Sequence, residues 1–255
     1  MSVLFPAYND AGTIASMVLI ARITVRRLTD DYEILVVDDG SKDHTAEVLA
    51  ELQRLVPELR VLRHPQNRGY GAALRTGFAA ASKDLVFYTD GDAQFDPREM
   101  KVLADSLDED VDYVTGYKIS RADPILRVAL GRPYHWAVRL AFGLKLRDID
   151  CDFRLLRRRA LRQVELTETN GSLCIELLKK LEDAGFRFRE VPVHHYPRAY
   201  GRSQYYTPRR VLRAYRQLFG LWLKLVVRKS HLRAPVASME GATAQPAQDE
   251  QNAAS

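Results

Sequence analysis

Cysteine is scarce in this sequence, with Cys151 and Cys174 the only two in 255 residues. Two thiols cannot form a disulfide framework or a four-ligand zinc site. A leader of basic then apolar residues is missing from the start, where Met1 runs almost directly into Val3-Leu4-Phe5. No apolar run approaches the roughly 20 residues that span a bilayer, which excludes a polytopic membrane protein. A GxxxxGK[ST] phosphate loop is also missing, which excludes a P-loop ATPase. These absences lead to the expectation of a chain at home in a reducing cytoplasm.

Acid is missing from one long stretch: from Val191 to Met239 there are ten Lys or Arg and no Asp or Glu. From Tyr113 to Arg147 seven basic residues are opposed only by Asp123. The net charge of +5 is therefore concentrated in the second half. Such a block either contacts something anionic (phosphates, nucleic acid, a lipid surface) or forms a solvated face, and charge alone does not choose. Ala234–Ser255 in turn has no Lys or Arg, and too little apolar content to fold. The whole chain is 46% apolar and 28% charged, values of a soluble globular protein. Its length allows one large domain or two small ones.

What is present is a regular alternation. Apolar strands are expected at Ser2–Phe5, Glu33–Val37, Leu59–Arg63, Leu85–Thr89 and Val111–Gly116. Helical patterns lie between them, over 10–28, 43–55, 71–81 and 97–107. Ser41 or Asp43 is available as a cap for the second helix, and Pro97 sits at a favourable first-turn position of the fourth. Alternation of this kind predicts a mostly parallel sheet with helices on both faces, whose ligands bind beyond the carboxyl ends of the strands. In the second half a helix is expected over 171–184, carrying Glu176, and a strand over 186–191. From Arg209 to Leu232 a stripe of Val211, Tyr215, Leu218, Trp222, Leu225 and Val226 runs among Arg and Lys. This reads as a basic amphipathic helix, either lying in a membrane interface or packed on its own domain.

The loops that would meet at the carboxyl edge are Pro6-Ala7-Tyr8-Asn9-Asp10, Asp38-Asp39-Gly40-Ser41 and Asp90-Gly91-Asp92-Ala93-Gln94. Asp is a common turn residue, but three acid-bearing loops at one edge form a pattern. In the last of them, two carboxylates at i and i+2 and the Gln94 amide can offer hard oxygens to one divalent cation. Arg68-Gly69-Tyr70-Gly71-Ala72-Ala73 only begins like a dinucleotide fingerprint, without its third glycine and away from the first strand–helix turn. A close approach of backbone to a ligand or a neighbouring helix explains it better than hydride transfer. Arg198 and Arg202 flank Gly201, a spacing suited to clasping a diphosphate between guanidinium forks. His64, His194 and His195 have no metal-site spacing and read as structural.

Taken in order, these segments resemble a known family. Val3-Leu4-Phe5-Pro6-Ala7-Tyr8-Asn9-Asp10, Val36-Val37-Asp38-Asp39-Gly40-Ser41-x-Asp43-x-Thr45, Asn67-Arg68-Gly69-Tyr70-Gly71 and Asp90-Gly91-Asp92-Ala93-Gln94 resemble family 2 glycosyltransferases of the GT-A fold. Asp150-Cys151-Asp152-Phe153-Arg154, Glu190-Val191-Pro192-Val193 and Arg198-x-x-Gly201-x-Ser203 extend the likeness toward the dolichol- or polyprenyl-phosphate sugar transferases. The resemblance implies a GT-A, Rossmann-like α/β catalytic domain over 1–205. A basic interface helix over 206–233 and a disordered tail over 234–255 would follow.

It also implies roles. Pro6, Tyr8 and Asp10 would border the base and ribose of a nucleotide-diphosphate sugar, with Asp39 on the base. Asp90, Asp92 and Gln94 would hold Mg²⁺ or Mn²⁺, and Arg198 and Arg202 would contact the diphosphate. Lys118 and Arg127 would take the acceptor's phosphate, and Glu176 stands where some members place a general base. The implied reaction is inverting transfer of a hexose to a polyprenyl or dolichyl phosphate, at the cytoplasmic face of an anionic membrane. A soluble family 2 enzyme acting on a glycan, protein or small molecule is the alternative. A catalytically silent nucleotide-binding subunit and a nucleic-acid-binding module are further readings, and the second leaves the acidic loops unexplained.

Overall fold

The apolar runs between the polar loops become strands of one seven-stranded sheet. The computed structural model describes residues 1–121, 135–198, 200 and 208–232. In chain order the elements are β1 (Ser2–Ala7), α1 (Ile14–Val25), β2 (Glu33–Asp38), α2 (Thr45–Leu55), β3 (Leu59–Arg63), α3 (Tyr70–Ala80), β4 (Leu85–Thr89) and α4 (Met100–Asp105). They continue with β5 (Tyr113–Arg121), β6 (Phe153–Arg157), α5 (Arg158–Arg162), α6 (Leu173–Asp183), β7 (Phe188–His195) and α7 (Pro208–Trp222). Pro97 opens a 3₁₀ turn before α4, where the Asp96 side chain caps Arg98 N–H at 2.9 Å. The cap position of α2 is taken by His44, not by Ser41 or Asp43, and makes no side-chain cap bond; Asp43 just before it accepts from Thr45 N–H at 3.0 Å through Oδ1.

The strand order is β3-β2-β1-β4-β6-β5-β7. Strands β3, β2, β1 and β4 run parallel. β6 is antiparallel to both of its neighbours, and β7 is parallel to β5. The carboxyl ends of β1, β2 and β4 therefore share one edge with the amino end of β6, where Thr89 pairs with Phe153.

Alternation along each strand divides the core in two. Val3, Phe5, Ile34, Val36 and Phe87 pack under α1, α2 and α4, while Leu4, Leu35, Val37, Val86 and Tyr88 pack against α3 and α6. Strand β6 departs from the sequence expectation, which recognised its residues only as a motif. Arg154 interrupts its apolar run, yet this side chain is 0% exposed. It donates to Thr115 Oγ1 (3.2 Å), Asp152 Oδ1 (2.7 Å) and the Ile149 carbonyl (2.8 Å), and also to the Tyr88 hydroxyl.

The C-terminal helix also departs from one of its two expected placements. Leu221 and Leu225 are buried in the second core layer, and Leu218, Trp222 and Val226 pack against it. Trp222 Nε1 donates to the Ala141 carbonyl at 2.9 Å, tying this helix to a helical segment over 135–142. Most of the predicted stripe thus faces its own domain. The exposed apolar side chains are Leu212, Tyr215 and Phe219, with Trp136 and Leu140 on the neighbouring segment. Among the described residues, no helix is long and apolar enough to cross a membrane. The tail over 234–255 lies outside the described residues.

Candidate active site

The three acidic loops meet as expected. Their backbones are stitched by short polar side chains: Asn9 N–H donates to Ser41 Oγ (3.0 Å), Asp10 N–H to Thr45 Oγ1 (2.9 Å), and Thr13 Oγ1 to the Gly91 carbonyl (2.7 Å). Asn9 and Ala93 hold φ of 58° and 60°, left-handed conformations unusual outside glycine. Such strain concentrates where surrounding contacts over-determine a loop. Beneath these loops lies a cavity of about 500 Å³, lined by Pro6, Tyr8, Asp10, Asp39, Asp90, Asp92 and Arg198 among others.

The glycine motif is explained by close approach. A Cβ on Gly69, at φ +101°, would stand 2.4 Å from the Thr169 carbonyl oxygen, and one on Gly71 2.6 Å from that of Asn170. The amino end of α3 is thus pressed against the loop before α6. Asp39 anchors the same turn, since Oδ1 accepts from His64 Nδ1 (2.6 Å) and Arg68 N–H (2.9 Å), and Oδ2 from Gly69 N–H (2.8 Å). His64 completes the link through Nε2 to Thr76 Oγ1 at 2.9 Å.

The carboxylates crowd one another. Burial first, then Asp92 among its neighbours, drives Asp10 up to about 6, against a hydrogen bond from Tyr8 N–H at 2.9 Å. Asp90 is pushed well above the carboxylate range by burial, with Asp152 and Asp92 adding to it. Its Oδ1 is buried without a hydrogen-bond partner. Asp92 accepts from Gln94 N–H at Oδ1 (3.0 Å) and from Arg198 Nη2 at Oδ2 (2.5 Å). The Tyr200 ring occupies the space a Cβ on Gly12 would need.

Other expected residues stand elsewhere. The Gln94 side chain turns to the residue after β7, where Nε2 donates to the Tyr196 carbonyl at 3.3 Å. It is not among the residues lining the cavity. Glu176 is 0% exposed and paired with Lys180 Nζ at 2.7 Å. It also accepts from the Thr167 and Glu168 backbone and the Thr167 hydroxyl. Those bonds outweigh burial and hold its pKa below the ordinary value. Its lone pairs are committed to these partners, and it is not among the residues lining the cavity. Lys118 Nζ donates to the Asp150 carbonyl at 2.7 Å, beside the cavity wall. Arg127 and Arg202 lie outside the described residues.

The cavity also gathers residues that the sequence reading gave no role there: Tyr70, Asp150, Asp152 and Cys174. Asp150 and Asp152 stood in a recognised motif, but only the antiparallel placement of β6 brings them to this edge.

The loop of Asp90 and Asp92 has the donor set of a hard-cation site. It offers carboxylate oxygens only, one of them buried without a partner, and the arginine opposing Asp92 shows that the site is matched by positive charge. These residues fit Mg²⁺ or Mn²⁺. A second group, His135, Asp148 and Asp150, brings its ligand atoms within 4.8 Å of one another. Lys118 Nζ lies 3.9 Å from Asp148 Oδ1, so a cation is already built into that network.

Comparison with known proteins gives a consistent result. The family model described as glycosyl transferase family 2 matches residues 2–165. An undecaprenyl-phosphate 4-deoxy-4-formamido-L-arabinose transferase from Yersinia enterocolitica is 30% identical over 207 residues, covering 80% of this chain and 62% of the relative. Its Yersinia pestis counterpart matches equally well, at 30% identity over the same shares. The chain thus spans about 62% of the length of these curated relatives. Among solved structures, glucosyl-3-phosphoglycerate synthase from Mycobacterium tuberculosis in complex with UDP superposes with TM-score 0.63 at 22% identity, over 92% of this chain and 80% of that one. The same enzyme with Mn²⁺, UDP and phosphoglyceric acid gives TM-score 0.63 at 24% identity, over 87% and 76%. At these identities the structural likeness establishes the GT-A fold.

Proposed function

The chain belongs to glycosyl transferase family 2, and we propose that it moves a hexose from a nucleotide-diphosphate sugar to a polyprenyl phosphate, with inversion and with a divalent metal. The observation that carries this reading is the ion pair of Asp92 and Arg198 in the cavity lining, 2.5 Å apart. A departing diphosphate needs anionic groups to hold its cation and cationic groups to meet its oxygens, and this pair brings both to one point. The curated relatives, named as undecaprenyl-phosphate sugar transferases, support a lipid phosphate as acceptor.

Asp90 and Asp92 would hold Mg²⁺ or Mn²⁺, which when bound supplies Lewis acidity at the leaving diphosphate. Arg198, with Arg202 from the same segment, adds preorganised positive charge. Pro6, Tyr8, Asp10 and Asp39 border the nucleotide, and Lys118 with Arg127 receives the acceptor phosphate. A phosphate acceptor is ionised at neutral pH, so no general base is required, which agrees with the commitment of Glu176 to Lys180. A hydroxyl acceptor would require one. The exposed Asp150 at the cavity, held by His135 at 3.3 Å, is the candidate under that second reading.

Peripheral membrane binding belongs to the same proposal. Leu212, Tyr215 and Phe219 of α7 stand exposed near Trp136 and Leu140, with Arg213 and Arg216 exposed beside them. An apolar strip edged by arginine suits an anionic interface, at about 1 kcal/mol per basic residue.

The test is a donor panel. Protein and Mn²⁺ are incubated with UDP- and GDP-sugars, and polyprenyl phosphate is presented in phosphatidylglycerol or phosphatidylcholine vesicles. Released nucleotide and glycolipid are measured together. The expected result is lipid-dependent release with one donor, faster on the anionic vesicles. Nucleotide release that never yields glycolipid would overturn the acceptor assignment, and equal rates on both vesicles the electrostatic docking.

A further inference from the structure

Asp39 has little capacity left for a ligand, and one of the residues responsible stands behind it. Asp39 lines the cavity and is 3% exposed. Its Oδ1 accepts from His64 Nδ1 at 2.6 Å and from Arg68 N–H at 2.9 Å, while Oδ2 accepts from Gly69 N–H at 2.8 Å. A carboxylate oxygen offers two lone pairs in its plane, so Oδ1 is filled. Among the described residues Oδ2 has a single donor. One lone pair remains on the whole group. His64 itself is 5% exposed and does not line the cavity. It follows β3, where its N–H donates to the Asp38 carbonyl at 2.9 Å.

The state of the His64 ring follows from its partners. Two backbone N–H groups already donate to Asp39, so its carboxylate is the acceptor and Nδ1 carries the proton. In that tautomer Nε2 accepts from the Thr76 hydroxyl of α3 at 2.9 Å. One imidazole thereby joins the end of β2, the turn after β3 and the middle of α3. Gly40 closes the same junction, since a Cβ there would stand 2.5 Å from the Gln66 backbone. A frame this tight fixes where the Asp39 carboxylate points as well as how many donors it can take.

That capacity separates the two bases of the donor panel. Uracil presents one N–H, at N3, between two carbonyls. Guanine presents two adjacent donors, N1–H and the exocyclic amine, which call for both oxygens of a carboxylate. With Oδ1 filled, Asp39 can satisfy the first edge and only half of the second, and a buried N–H left without an acceptor costs binding. We infer that His64 is a positioning residue for Asp39 and that, by occupying Oδ1, it selects uracil over guanine as the base of the donor. The inference rests on the placement of Asp39 at the base proposed above and deepens it. As a brace alone, His64 would affect every ligand of the cavity alike. As a selector it affects only ligands that carry a base.

Binding, rather than turnover, tests this. Calorimetry on the full chain in constant Mn²⁺ compares UDP, GDP and inorganic pyrophosphate, which engages the metal but has no base. Wild type is expected to bind UDP more tightly than GDP by about tenfold or more. His64→Asn places its amide N–H near the position of Nδ1 and should keep that ratio within about threefold. His64→Gln places its amide nearer Nε2 and leaves Oδ1 open, so the ratio should fall by about tenfold, with pyrophosphate changed less than about twofold. The two amides share their chemistry and differ in position, so a buried polar group of any kind would not separate them. Equal ratios in the two variants, a matching loss of pyrophosphate affinity, or a wild type that prefers GDP would each overturn the inference. Nucleotides that bind no better than pyrophosphate would overturn the placement of Asp39 at the base, and failure of all three ligands would overturn the donor reading; either result takes this inference with it. If circular dichroism shows His64→Gln to be misfolded, His64→Phe, which keeps a ring and lacks the donor, takes its place with the same expected ratios, and the wild-type preference remains a test in its own right.

Discussion

The two ends of the same three strands treat acidic residues in opposite ways. At the amino end of β2, Glu33 is nearly buried yet fully served. It accepts from Ser2 Oγ (2.7 Å), Ser82 N–H (2.6 Å), Ser82 Oγ (2.8 Å) and Arg60 (2.5 Å). Burial pushes its pKa up, but these bonds prevail and bring it down to about 2. At the carboxyl end, Asp10 and Asp90 are desolvated and crowded, and both are raised. One edge spends its hydrogen bonds on holding β1, β2 and the turn before β4 together. At the other, Asp39 and Asp92 are paired, but the burial of Asp10 and Asp90 goes uncompensated, at a cost in stability. Differences of this sign are the mark of a site as opposed to a scaffold.

The largest effect should come from the functional edge. Asp92→Ala removes a proposed metal ligand and frees Arg198, so transfer should fall by about 10²–10³, the usual loss for one such electrostatic contact. The melting temperature should change little. A variant retaining over a tenth of wild-type transfer with metal present would sink the assignment of Asp92.

The next largest should come from the scaffold edge and should be a loss of stability. Glu33 has its folded pKa depressed, so its contribution is fully present above its unfolded pKa of 4.5 and is lost as pH falls toward 2. Converted by linkage, the shift is worth about 3 kcal/mol, less whatever solvent screening at the half-exposed Arg60 removes. Glu33→Gln should therefore lower stability by about 2–3 kcal/mol at neutral pH and flatten the acid limb of a urea-denaturation series. Its transfer activity at permissive temperature should match wild type. An unchanged acid limb would mean that the Glu33 network is ornamental.

The contrast between the edges was partly legible before any coordinates. Strand–loop alternation and the three acidic loops pointed to the edge where the cavity lies, because periodicity and turn chemistry are local properties. Whether a given acid is free or engaged is not local. Resemblance put Glu176 where some members have a general base, while Lys180 one helical turn later is a spacing that makes an internal pair, as the structure shows. Gln94 shares a loop with Asp90 and Asp92, but its amide turns to the Tyr196 carbonyl, 102 residues away. β6 escaped notice because Arg154 interrupts its apolar run, and only tertiary partners explain an arginine there. In α7 and the helical turn that continues it (Leu223–Val227) the apolar residues outnumber what one face needs, so the pattern alone could not say which stripe packs inward; Leu221 and Leu225 answer that. Asp152 and Tyr70 were visible as motif members, and their meeting depends on four elements converging.

The sharpest and smallest test compares signs. Asp10 has its folded pKa raised from an ordinary 3.8 to about 6, chiefly by burial. Between those values the unfolded chain has lost its proton while the folded chain keeps it, so stability should fall as pH rises from about 4 to 6. Asp10→Asn removes the titration and keeps an acceptor for Tyr8 N–H. The full linkage is about 3 kcal/mol, but the variant also loses attraction to Arg198, so a gain of about 1–2 kcal/mol at pH 7 is expected. Denaturation is followed in chelator, because a bound cation would compensate the same charge. Neutralising a buried acid thus stabilises the carboxyl edge and, in Glu33→Gln, destabilises the amino edge of the same sheet. If Asp10→Asn lowers stability too, the carboxyl-edge acids are structural like Glu33, and the physical ground for treating that edge as the site is gone.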